Sequence, residues 1–103
     1  MINVVIYLKK HHHSKELVKH LLAERLIASA SIDENNVSYR MEDDAFVEDV
    51  NNVITAQSKS LLFTEILKAV RYKIGEEVPI NAVPIMGVNR IFDEIIRGGT
   101  LPA

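Results

Sequence analysis

Cysteine is absent from the 103-residue chain, which removes disulfides, thiolate nucleophiles and thiolate metal ligands from consideration together. Aromatics are few, at 6% with no tryptophan, and Tyr7, Phe46, Phe63 and Phe92 are read as core packing rather than a cofactor box. Glycine is scarce as well. Gly98 and Gly99 do not precede a helix with phosphate-cradling spacing, so neither a P-loop nor a dinucleotide fingerprint is present. Basic charge is not in excess: the net charge is −2 and the pI near 6.1, which argues against a nucleic-acid partner. No stretch approaches the roughly 20 apolar residues of a membrane span, so no membrane partner is expected. The first residues do not read as a basic segment, apolar run and cleavage site, and a cytoplasmic protein is expected. No serine sits in a nucleophile elbow, and no histidine outside one cluster is free to serve as its base, so a non-enzyme is expected. An acid–base enzyme using Glu76 or Glu77 is the catalytic alternative.

What is present suits a single packed domain, 1–103, with 48% hydrophobic and 25% charged residues. Ile2 to Leu8, "INVVIYL", is a near-continuous apolar run expected to form a central strand buried on both faces. Ser14 is placed to cap a helix whose inward face carries Leu17, Val18, Leu21, Leu22 and Ala28. "ASASI" opens a second strand, "DENN" from Asp33 to Asn36 marks a turn or bulge, and "VSYRM" resumes it. "EDD", Glu42 to Asp44, predicts a hairpin tip, and "AFVEDVNNVITAQ" returns, with a second bulge expected between Val50 and Val53. Ser58 or Ser60 opens another helix, with Leu62, Ile66, Ala69 and Val70 inward and Gly75 as its stop. "INAVPIMGV" supplies a fourth strand, at an edge because of Pro84. Asn89 caps a short closing helix, and "GGTLPA" is expected to fray or dock on a partner.

This order predicts an α+β, ferredoxin-like βαββαβ sandwich with a short C-terminal helix: a four-stranded antiparallel sheet with both long helices on one face. The other face, where Val5, Tyr39 and Val53 are placed, is then uncovered, and self-association is expected to bury it.

The conspicuous polar feature is "KKHHHSKE". Imidazoles bind copper, zinc or nickel, and if the helix began one turn early, His13, Glu16 and His20 would share a stripe at separations of three and four residues. That trio is the candidate metal set. Against it, Ser14 suits a cap better than a helix interior, Lys9 and Lys10 repel a cation, and a solvated strand-to-helix loop is the preferred reading of the tract. The carboxylates of the hairpin lack calcium-loop spacing and read as charges guarding strand edges.

"LLAERLIASASI", Leu21 to Ile32, together with "VSYR", the long hairpin, the second helix and "NAVPI", resembles the CutA-type divalent-ion tolerance proteins. These share a trimeric architecture with the nitrogen-regulatory P-II signalling proteins. The chain departs from that family's motifs: Ser29 stands where cysteine is common, Ala56 and Gln57 where a lysine–threonine pair is, and Lys73, Ile74 and Gly75 where histidine, proline and tyrosine are. The resemblance implies a non-enzymatic homotrimer that binds or senses a small ligand or divalent ion in clefts between subunits, where Tyr39 and Tyr72 are candidates. The alternatives are a structural or protein-interaction module, with a protein partner at the acidic hairpins, and a small ferredoxin-like enzyme.

Overall fold

The computed structural model describes residues 1–102. Strand β1 (Ile2–Leu8) leads to helix α1 (Ser14–Ala23), strands β2 (Ser29–Glu42) and β3 (Ala45–Ser58), helix α2 (Phe63–Ile74), strand β4 (Ile80–Pro84) and helix α3 (Arg90–Gly99). A 3-10 turn, Ser60–Leu62, opens α2. The strands form one antiparallel sheet in the order β2, β3, β1, β4, the ferredoxin-like arrangement that the sequence predicts.

β1 is central but not buried on both faces. Ile2, Val4, Ile6 and Leu8 are buried, while Asn3, Val5 and Tyr7 between them are only half-buried. The buried set joins Ile54 and Ala56 of β3, Leu17 and Leu21 of α1, and Ile66 and Val70 of α2 in one core. Each valine, leucine or isoleucine in it contributes about 1.5–3 kcal/mol by leaving water. The alternate positions of β1 and β3 face away from this core, and there Gln57 donates to Asn3 at 2.9 Å and accepts from Ser29 at 2.6 Å, a polar ladder across three strands.

The capping chemistry differs from expectation at α1. Ser14 is its first residue rather than its cap; His13 holds the cap position without a side-chain bond, and the buried Ser14 Oγ has no partner among the described residues. At the other end the chain turns through Arg25, whose φ of 57° is left-handed, with Arg25 N–H donating to Leu22 O and Leu26 N–H to Leu21 O. This is a Schellman closure, with arginine where glycine is usual. Because α1 ends at Ala23, Ala28 lies beyond it, and Leu22 faces outward, 40% exposed. Gly75 ends α2 at φ 86°, and the Asn89 side chain caps α3 by accepting from Phe92 N–H, both as predicted.

The tail is docked on the body through Leu101 rather than frayed, while Ala103 at its end lies outside the described residues. Thr100 is buried and donates to Ile96 O, Leu101 N–H donates to Arg25 O, and the Arg25 guanidinium reaches Gly98 O and Thr100 O. A methyl group at Gly99 would stand 3.0 Å from the Cα and Cβ of Ala28, so a side chain there would press α3 away from that backbone.

β2 and β3 extend past the body as a long arm, which stretches the molecule to 46 × 29 × 21 Å. There is one bulge, on β2: Asp33 pairs with Val53 and Asn36 with Asn51, so Glu34 and Asn35 together oppose Asn52. No second bulge interrupts β3, and the shifted apolar spacing at Val50 to Val53 is its answer to the extra residue opposite. Asn35 is left-handed at φ 59°, and its amide donates to Asn52 Oδ1. Asp43 and Asp44 form the tip, both with positive φ, a type I′ two-residue turn between the paired Glu42 and Ala45. Tyr39 therefore sits on the helix side of the sheet with Phe46, not on the opposite side with Val5 and Val53, and there Val5 is half-buried and Val53 buried rather than uncovered. Of the four aromatics assigned to the core, Tyr7 and Phe63 are half-buried and Phe92 is 37% exposed, whereas Phe46 stands out at 73%.

Candidate functional site

The loop between β1 and α1 is short, and its histidines are held against the residues that follow α2. Lys9 O accepts from the His12 amide at 3.0 Å, and the Lys9 amide donates to His12 Nδ1 at 3.0 Å. The two bonds close a turn that points the His12 ring inward, leaving its side chain 5% exposed. Gly75, by reversing the chain in the left-handed region, brings Glu76 back toward that ring. Glu76 Oε2 lies 3.3 Å from His12 Nε2 and 3.9 Å from His11 Nε2. The two imidazoles are tilted neighbours, at a centroid distance of 4.3 Å.

One donor atom from each of His11, His12 and Glu76 lies within 4.8 Å of the others, which is the spacing of groups that can share an ion. They line a cavity of about 570 Å³ together with His13, Glu16, Lys73 and Ile74. The Glu76 carboxyl is held below the ordinary glutamate range, first by the hydrogen bond from His12, against a smaller desolvation, with further help from the nearby Lys9 charge. An ionised carboxylate beside two imidazoles suits a borderline divalent ion such as zinc, copper or nickel better than calcium or magnesium, which seek six or more oxygens.

The residues singled out from spacing are distributed differently. His13 and Glu16 line this cavity, but His20, in the last turn of α1, does not. A His13, Glu16 and His20 stripe needs a helix that begins a turn before Ser14, and α1 begins at Ser14. Tyr39 stacks on Phe46 with centroids 5.3 Å apart, on the arm, and Tyr72 points away from the core on α2, 82% exposed. Glu76 is the partner that local spacing misses, since it is 64 residues from His12 and meets it only in the folded sheet.

No protein-family model and no curated protein sequence matches the chain. Solved structures do. The divalent cation tolerance protein Cut A1 from Thermus thermophilus is 24% identical, covering 97% of this chain and 99% of that one, at a TM-score of 0.84. CutA1 from Oryza sativa is 18% identical over 99% of this chain and 94% of that one, at a TM-score of 0.87. CutA1 from Pyrococcus horikoshii is 20% identical over 99% of this chain and 100% of that one, at a TM-score of 0.85. Backbone agreement over the whole length at such low identity settles the architecture: this chain has the fold of the CutA1 divalent cation tolerance proteins.

Proposed function

We propose that this chain is a non-enzymatic, homotrimeric protein that binds a divalent transition ion at the cavity between its first loop and the end of α2. The observation that carries this reading is the convergence of His11 and Glu76, with His12 beside them, from two distant parts of the sequence. The names of its structural neighbours, divalent cation tolerance proteins, point to the same class of ligand. Self-association is supported by the arm, where Val37, Tyr39, Met41, Phe46 and Val50 leave a run of apolar surface exposed beyond the body. Binding rather than turnover is the role assigned to the cavity, with zinc, copper and nickel as the candidate ions.

Calorimetric titration of the untagged chain with each ion is expected to give saturable binding of one ion per subunit, lost in H11A and in Glu76→Gln. No saturable binding, or binding that both variants leave intact, overturns the assignment.

A further inference from the structure

Two of the three converging groups are free to hold an ion, and the third is not. A peptide N–H can only donate, so the 3.0 Å contact from the Lys9 amide requires a lone pair on His12 Nδ1. In the neutral ring the proton then sits on Nε2, and that N–H faces Glu76 Oε2 at 3.3 Å. Both ring nitrogens of His12 are thus committed. Ligation through Nε2 would need the proton moved to Nδ1, against the Lys9 amide, and burial of the side chain, 5% exposed, holds the ring in place. His11 is the opposite case: its side chain is 67% exposed, and its Nε2 lies 3.9 Å from the same carboxylate, a gap an ion could bridge.

Resting on the ion-binding reading, we infer that His11 and Glu76 are the ligands, and that His12 is a positioning residue that fixes the Glu76 carboxylate by donating to Oε2. The arrangement is the familiar outer-shell pairing with the roles exchanged, the carboxylate binding and the histidine orienting. Two protein donors leave most coordination positions open. The ion class that follows is a borderline divalent cation, zinc, copper or nickel, carried in exchangeable form, its remaining positions filled by water or a small ligand within the surrounding cavity.

The test is electron paramagnetic resonance of the untagged full chain loaded with Cu(II), which counts coordinated imidazole nitrogens, beside calorimetry. One imidazole is expected in the wild type, lost in H11A. His12→Gln, whose amide N–H can replace Nε2–H toward Glu76, is expected to keep both the signature and near-wild-type affinity. His12→Ala is expected to keep the signature while affinity falls about tenfold or more. Circular dichroism and thermal melting confirm that each variant folds. Two imidazoles in the wild type, reduced to one in His12→Gln, would overturn the division of roles while leaving ion binding intact. A one-imidazole signature that survives H11A overturns the ligand assignment. Absence of copper binding by the wild type overturns the ion-binding reading, and this inference with it.

Discussion

At the scale of single residues, the bond between His12 and Glu76 sets what pH does to the metal-free protein. The bond favours the charged carboxylate, so the folded pKa of Glu76 lies below the unfolded value. Its contribution to stability is then complete above the unfolded glutamate pKa of about 4.3 and is lost as pH falls through the lower folded value. A carboxyl-detected NMR titration is expected to place the Glu76 midpoint below that reference, and H12A to return it upward; an unmoved midpoint would detach the shift from His12. In the same variant the Lys9 amide loses its acceptor, an expected loss of about 1 kcal/mol in a denaturant melt, part of which His12→Asn should restore through its side-chain oxygen. Backbone chemistry of this kind is legible along the sequence where both partners are neighbours. Gly75 as a helix stop and Asn89 as a cap are read correctly because each acts within a few residues of itself. Ser14 misleads because serine suits both the cap and the first helical position, and only the turn closed by Lys9 and His12 moves the boundary.

Whole elements obey simpler rules and are correspondingly easier to foresee. Apolar periodicity places β1, α1, α2 and the paired strands, but it does not say how many faces of a strand are covered, which is why β1 reads as buried throughout. It also cannot say which strand of a pair carries an extra residue: "DENN" and the Val50 to Val53 spacing are two views of one bulge. The join of α1 to the tail offers a test. Arg25 sits in the left-handed region, which suits glycine, yet its guanidinium holds two carbonyls at the end of α3. R25A loses those bonds and keeps the strain, whereas R25G loses the bonds and relieves it. The alanine variant is therefore expected to be less stable than the glycine variant by about 1 kcal/mol, measured by chemical denaturation. Equal stability would mean that the backbone there is not under strain. Gly99→Ala should destabilise by about 1–3 kcal/mol, because the new methyl meets the backbone of Ala28 rather than a movable side-chain tip.

For the molecule as a whole, the outstanding feature is how much apolar surface the chain leaves uncovered, on the arm and on α3, where Ile91 and Ile95 are exposed. A homotrimer that packs the arm is expected to come apart when Phe46, 73% exposed in the single chain, becomes aspartate. Light scattering at low micromolar concentration should then report a smaller species with unchanged circular dichroism, whereas a wild type that is already monomeric would remove the premise. Composition foretells a globular domain, and the succession of elements foretells its sheet. The site is less legible, because its two halves lie far apart in the sequence and only the fold joins them. The bulge at Glu34 and Asn35 has a reach far beyond its own turn. Side chains alternate along a strand, so a register in which Asn35 rather than Asn36 faced Asn51 would invert every position from Val37 to Glu42, placing Arg40 on the face where Tyr39 now lies. The extra residue thus acts as a parity bit for the outer half of β2. By sharing one partner with its neighbour, it decides which face of the arm is sticky and which is charged.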